Sequence, residues 1–166
     1  MILVISAAAL TARAAIGGQR ARRPKRPPFE LVVSAPDTRG HPWLPAHPAG
    51  LPQVILYVSP KCPHCHAELD EWNRLALALP GLAARVAIVI VTPAPAEPSD
   101  TSFIPARLRH RRIWDRDRRI GRALQLRAVP ASVYLSPRGV VRHLHVGRSR
   151  LVTISRRLDA LAAGKP

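Results

Sequence analysis

The sequence predicts an α/β protein with a mixed central sheet flanked by helices. Continuous apolar, β-branched runs at 54–58 and 85–91 indicate strands buried on both faces. Segments with an apolar period of three to four residues separate these runs and predict helices. The turn sequence at 136–139 joins the last two strand candidates as a hairpin. With 166 residues, the chain is long enough to bury a core of its own.

After a short strand at 29–33, the predicted order is strand, helix, strand, helix, strand, strand, helix. The predicted strands span 54–58, 85–91, 131–135 and 140–146. The predicted helices span 62–79, about 114–126, and a last segment with Ser149 as N-cap and an apolar stripe of Leu151, Ile154, Leu158 and Leu161. Between them, 35–52 is interpreted as an irregular connection or loose hairpin, 92–100 as a loop, and 103–110 as one or two helical turns. This order gives a parallel strand–helix–strand unit, followed by a hairpin and a closing helix.

The chain divides into an N-terminal apolar and basic segment, 1–28, and a folded domain, 29–166. Residues 1–12 are mostly apolar but fall short of the roughly 20 residues that span a bilayer. They resemble the core of a signal peptide, although the positive charges follow this core instead of preceding it. A start further upstream or a simple apolar arm would both account for this order. We expect an extracytoplasmic protein, with membrane association through the N-terminus.

The charge is strongly positive. Lysine and arginine total 26 against 10 acidic residues, for a net charge of +16. Such a charge is compatible with binding to nucleic acid or to an anionic membrane. No nucleic-acid-binding motif accompanies it, and the densest basic block, 107–122, has Asp115 and Asp117 intermixed. We therefore interpret the charge as a solvated arginine-rich surface and expect no nucleic-acid partner.

Both cysteines of the chain lie in one motif, Cys62-Pro63-His64-Cys65, at the start of a predicted helix. A bridge between them closes almost no loop, so its value must be chemical and not structural. The unpaired N–H groups and partial positive charge of a helix start favour a thiolate, which is the nucleophile in disulfide exchange. The adjacent Lys61 adds to that effect. We predict that Cys62 attacks and that Cys65 resolves.

From about residue 29 to its end, the sequence resembles the thioredoxin-like superfamily, most closely its extracytoplasmic TlpA/ResA-like branch. The resemblance rests on the strand before the dithiol, on Glu68, on the Val129-Pro130 step before a strand, and on the 136–139 hairpin. It implies a thioredoxin fold with Pro130 in the cis form opposite the dithiol. It further implies that Val129, Pro130 and Pro63 contact the client, and that Glu68 exchanges a proton with Cys65.

The resemblance implies a thiol:disulfide oxidoreductase acting on protein thiol and disulfide clients. No cofactor beyond the redox-active Cys62–Cys65 disulfide is expected, but a redox partner must reset the dithiol. Lys61 replaces the tryptophan that usually precedes the first cysteine, and His64 replaces the usual proline. A histidine at this position is typical of DsbA-like oxidants, where it stabilises the thiolate. The direction of electron flow is therefore open.

Two alternatives use the same cysteines. With His66, the motif is also a literal C-x-x-C-H haem-attachment pattern. Haem c domains are helical, whereas this chain has several strand candidates, which disfavours that interpretation. The stronger alternative is a thioredoxin-fold copper or zinc carrier, in which Cys62 and Cys65 ligate the metal together with His143 or His145.

Overall fold

The computed structural model describes residues 28–93, 101–109 and 111–164, which form two β-sheets and four helices. The strands are β1 (Phe29–Glu30), β2 (Ala35–Pro36), β3 (Pro42–Trp43), β4 (Gln53–Tyr57), β5 (Ala87–Pro93), β6 (Arg111–Asp115), β7 (Ala131–Leu135) and β8 (Val140–Val146). The helices are α1 (Pro63–Ala78), α2 (Leu82–Arg85), α3 (Arg119–Ala123) and α4 (Leu151–Ala162), and a 3-10 turn spans Ala106–Leu108. The predicted N-terminal segment lies outside the described residues except for Pro28.

The main sheet has six strands in the order β1-β8-β7-β4-β5-β6, and β2 pairs with β3 in a separate hairpin. Strands β4, β5 and β6 are parallel, whereas β7 is antiparallel to β4 and β8 to β7. In this register Tyr57 lies opposite both Val91 and Ala131, and Ala131 lies opposite Val146. The ends of β4, β5, β6 and β8 therefore meet the start of β7 at one edge. We call it the dithiol edge, because the Cys62 motif follows β4 there.

Two hydrophobic cores cover the two faces of the sheet. Leu69 and Trp72 of α1 and Ile154 of α4 pack on one face. Ile120 of α3 and Trp43 of β3 pack on the other. Both β4 and β5 contribute to both cores, which explains why their sequences are continuously apolar instead of alternating. The predicted mixed sheet flanked by helices is thus confirmed.

The predicted helix at 114–126 is wrong at its start. Residues Arg111–Asp115 form β6, a parallel edge strand, and the helix begins only at Arg119 and has five residues. The prediction placed Asp115 in the first turn of this helix. Asp115 does stabilise the start of that helix, but it does so from the end of the preceding strand. Its carboxylate accepts hydrogen bonds from the backbone N–H groups of Ile120 (3.2 Å) and Gly121 (2.9 Å).

Other boundaries differ by smaller amounts. Strand β1 covers two of the five residues predicted at 29–33, and β5 begins at Ala87 because Arg85 belongs to α2. The predicted N-cap Ser149 is wrong, since Arg150 caps α4 and lends no side-chain hydrogen bond. The loose hairpin predicted within 35–52 is present as β2 and β3. No helix in the described ranges is long and apolar enough to cross a membrane.

Candidate redox site

Cys62 lies where β4 gives way to α1. It is the N-cap residue of α1, in an extended conformation (φ −106°, ψ 111°), and Pro63 follows inside the first helical turn, where a missing N–H costs nothing. The Cys62 side chain is partly exposed, and its Sγ lies 3.9 Å from the carbonyl oxygen of Val129. Both cysteines are free thiols, so the structure represents the reduced dithiol. The sulfur of Cys62 is therefore within reach of a client.

Cys65 differs sharply from Cys62, because its side chain is fully buried. Burial, together with the nearby Cys62 and Glu68, raises the pKa of the Cys65 thiol to about 12. A hydrogen bond of 3.3 Å from the Ser59 backbone N–H to Cys65 Sγ opposes that rise. The dithiol thus combines a reachable sulfur with an enclosed one that strongly retains its proton.

The Val129–Pro130 peptide bond is cis, as the resemblance implied. Pro130 is buried at the start of β7, and its carbonyl oxygen accepts a hydrogen bond of 2.8 Å from the Gly147 N–H at the end of β8. Val129 is partly exposed and turns its carbonyl toward Cys62. The segment predicted to face the dithiol therefore does so.

Glu68 lies one helical turn beyond Cys65 and is fully buried. Its Oε1 accepts hydrogen bonds from Trp72 Nε1 (3.1 Å) and Ser132 Oγ (2.8 Å), and its Oε2 accepts one from the Ser149 N–H (2.5 Å). A buried carboxylate needs such donors, because its desolvation would otherwise cost several kcal/mol. Sequence reasoning missed Ser132 and Ser149. A serine inside the otherwise apolar strand β7 was the available signal.

The remaining motif residues lie at the surface. Lys61, Pro63 and His64 are exposed, and within the described residues His64 makes no hydrogen bond to Cys62. Its predicted effect on the Cys62 thiolate stays a prediction. His66 has its Nε2 2.7 Å from the Pro60 carbonyl oxygen and its ring 5.6 Å from that of Phe103. The histidine of the haem-like pattern thus holds the loop before α1.

The metal-carrier alternative finds no support in the geometry. His143 packs beside the ring of Tyr134 at 5.8 Å, and His145 Nε2 lies 3.1 Å from the Arg148 carbonyl oxygen. Across residues 28–93, 101–109 and 111–164, no three histidine, cysteine or carboxylate side chains are grouped so that they would hold a metal ion. The predicted combination of Cys62 and Cys65 with a histidine from β8 is therefore not assembled.

No protein-family model and no curated protein sequence match this chain. Solved structures do. DsbF of Mycobacterium tuberculosis, in mixed oxidised and reduced forms, is 26% identical with a TM-score of 0.64, over 79% of this chain and 96% of that one. A secreted disulfide oxidoreductase of the same organism, homologous to Escherichia coli DsbE, is 25% identical with a TM-score of 0.63, over 79% and 97%.

StoA of Bacillus subtilis, at 18% identity and a TM-score of 0.58 over 78% of this chain and 95% of its own, supports the fold alone. All three structures match this chain over more than three quarters of its length. The chain is accordingly a thioredoxin-fold protein with a CXXC pair, and its structural neighbours are thioredoxin-like thiol:disulfide oxidoreductases.

Proposed function

We propose that this protein is an extracytoplasmic thiol:disulfide oxidoreductase that exchanges disulfides with protein clients through Cys62 and Cys65. The observation that carries the proposal is the asymmetry of the two thiols. Cys62 is partly exposed beside the Val129 carbonyl, whereas Cys65 is buried with a raised pKa. Such a pair gives each sulfur a separate role, since the accessible thiolate attacks the client disulfide and the buried thiol stays protonated until it resolves the mixed disulfide.

In the reducing direction, the Cys62 thiolate attacks one sulfur of the client disulfide. A mixed disulfide forms, and the first client thiolate leaves and takes up a proton. Cys65 then gives its proton to Glu68 and attacks Cys62 Sγ, which releases the second client thiolate. Two electrons have passed from the dithiol to the client, and the protein holds a Cys62–Cys65 disulfide. The reverse sequence oxidises a client dithiol.

Glu68 suits the role of proton acceptor because it is the carboxylate whose charge acts on Cys65. It lies on the same buried face of α1, and its negative charge raises the pKa of the Cys65 thiol. Three hydrogen bonds fix both of its oxygens. A positioned carboxylate of this kind typically accelerates proton transfer by about 10²–10⁴-fold.

The client would dock against Val129, Pro130 and Pro63, which border the Cys62 sulfur. Pro63 is exposed at the start of α1, and Val129 is partly exposed across from it. His64 and the neighbouring Lys61 would stabilise the Cys62 thiolate from the exposed side of the loop. The exchange needs no bound cofactor, but it needs a second thiol protein to restore the starting redox state.

An extracytoplasmic location agrees with the secreted Mycobacterium tuberculosis neighbour. Membrane association through residues 1–28 remains part of this proposal.

Single serine substitutions test the mechanism. Cys62→Ser should abolish reduction of insulin disulfides, because no reachable nucleophile remains. Cys65→Ser should instead accumulate a mixed disulfide between Cys62 and the client, visible by mass spectrometry and lost on adding dithiothreitol. Retention of insulin reduction by both variants would refute the assignment. Stoichiometric copper in the purified protein, without any exchange activity, would favour the metal carrier.

The direction of the reaction follows from the equilibrium of the dithiol with glutathione. A potential near −120 mV is typical of an oxidant such as DsbA, and one near −270 mV of a reductant such as thioredoxin.

A further inference from the structure

Exposed basic side chains gather at the dithiol edge. Three described connections reach this edge: 58–62 after β4, 116–130 between β6 and β7, and 147–150 after β8. Their exposed cations are Lys61, Arg116, Arg118, Arg119, Arg122, Arg127, Arg148 and Arg150. We call this set the cationic rim. The basic block at 107–122 is thus split, and its second half lies on the connection between β6 and β7 that reaches this edge.

In the part of the chain that the structure describes, little negative charge lies on the connections that carry the cationic rim. Within the described residues of these three connections, Asp117 is the only exposed carboxylate, and it lies 4.0 Å from Arg119. Asp115, at the end of β6, is buried and is occupied by the N–H groups of α3. Apart from Arg119, no member of the rim forms an ion pair with a carboxylate in the part of the chain that the structure describes.

Three members of the rim adjoin the residues around the Cys62 sulfur, which a client must reach. Lys61 directly precedes Cys62, and Arg127 lies two residues before Val129, whose carbonyl is 3.9 Å from Cys62 Sγ. Arg148 follows Gly147, which is hydrogen-bonded to Pro130. Unpaired charges of one sign around a site raise the local concentration of oppositely charged partners and their association rate by 10- to 10³-fold.

We propose that the cationic rim selects polypeptide clients whose disulfide is flanked by acidic residues. The proposal rests on the exchange function proposed above and adds a substrate class to it. A polypeptide is favoured over a lipid surface or a nucleic acid because the charges lie on connections that reach the edge of the sheet where Cys62 must contact a disulfide. The electron transfer itself is unchanged, since the client disulfide gains the two electrons that Cys62 and Cys65 lose.

Two matched triple variants test the proposal in the full chain. The rim variant carries Arg122→Gln, Arg127→Gln and Arg148→Gln. The control variant carries Arg85→Gln, Arg107→Gln and Arg138→Gln, which remove the same charge from exposed arginines toward the opposite edge of the sheet. The substrates are two peptides with the same internal disulfide, flanked by aspartates in one and by lysines in the other. The measurement is the second-order rate constant of their reduction by the dithiol.

At low salt, wild type should reduce the acidic peptide at least about tenfold faster than the basic one. The rim variant should lose about tenfold with the acidic peptide, and the control variant less than twofold. In 0.5 M salt the preference should largely vanish, because screening shortens the reach of charge to a few ångströms. Equal wild-type rates for the two peptides, or equal losses in the two variants, would overturn the proposal.

Two further measurements separate the remaining outcomes. Neutral 2,2′-dithiodipyridine should react equally fast with Cys62 in all three proteins. If it reacts with none of them, the proposed exchange function itself is refuted, and the client selectivity fails with it. Co-sedimentation with phosphatidylglycerol vesicles and gel shift with duplex DNA test the other anionic partners. If the rim substitutions weaken either of those interactions and leave the peptide rates unchanged, the rim does not select acidic clients.

Discussion

Replacing Glu68 by glutamine tests the proton transfer most directly, because the change keeps the side chain's shape and removes its charge and basicity. The amide oxygen can still accept from Trp72 Nε1 and Ser132 Oγ. The amide nitrogen then faces the Ser149 N–H, so two donors meet at a buried position. Leaving a buried donor unsatisfied costs about 1–3 kcal/mol. For a domain of this size, that corresponds to a fall in Tm of roughly 2–12 °C, so the variant should fold.

The direction in which Glu68→Gln changes the rate of resolution by Cys65 shows whether Glu68 is a proton acceptor or only a buried anion. The pKa of the Cys65 thiol is about 12, so only about one molecule in 10⁵ would carry a Cys65 thiolate at pH 7. The negative charge of Glu68 contributes to that high pKa. If Glu68 were only a buried anion, its removal would increase the thiolate fraction and speed resolution. If Glu68 accepts the proton, its loss should slow resolution by about 10²-fold or more.

Single-turnover reduction of a fluorescence-quenched peptide disulfide separates the two steps. The first phase, attack by Cys62, should be unchanged in Glu68→Gln, and the second phase, resolution by Cys65, should slow. Between pH 7 and 9 the slowed phase should rise about tenfold per pH unit, since Cys65 must then lose its proton to hydroxide well below its pKa. Asp70→Asn, an exposed change on the same helix, is the matched control. An unchanged or faster second phase would refute the role of Glu68 as base.

Two stability predictions follow from other contacts. Folding raises the pKa of the Cys65 thiol from 9.0 to about 12, so the stability that this thiol contributes is full below pH 9 and is lost as the pH rises toward 12. Relative to Cys65→Ser, reduced wild type should therefore lose about 1.4 kcal/mol of unfolding free energy between pH 7 and 10, measured by urea titration. Equal losses in the two proteins would contradict the burial argument. A methyl group at Gly121 would lie 2.5 Å from Tyr57 Oη, which donates a hydrogen bond to Asp115. Gly121→Ala should therefore lower the free energy of unfolding by about 1–3 kcal/mol. This loss should be smaller in a Tyr57→Phe background, and an equal loss there would mean that the clash lies elsewhere.

The sequence was sufficient to predict α1 and the dithiol at its start. The helix predicted at 62–79 has apolar residues three to four positions apart, and three of them, Cys65, Leu69 and Trp72, are buried. Pro63 marked the first turn, because proline is tolerated there and not further inside a helix. These signals are local, and they agree with one another. For that reason the tertiary structure did not override them.

Strand β6 was missed because it lies at the edge of the sheet. Only Ile113 and Asp115 are buried among its five residues, and two arginines open it, so neither a continuous nor an alternating apolar pattern appears. Its partner β5 supplies the hydrogen bonds from a distant part of the sequence. The hydrogen-bond partners of Glu68 were missed for the same reason, since Ser132 and Ser149 are 64 and 81 residues away in the sequence. No local pattern encodes such pairs.

The difference between the two sulfurs follows from the residue at which α1 begins. Cys65 is the first member of the helical stripe that packs on the sheet, so the period that buries Leu69 and Trp72 also buries its thiol and raises its pKa. Cys62 precedes the helix as its N-cap residue, and it escapes that burial. A helix that began one turn earlier would draw Cys62 into regular helical geometry and away from Val129. The division of labour between attacking and resolving cysteine is therefore set by the start of the helix, which Pro63 marks, before any neighbouring charge acts on either thiol.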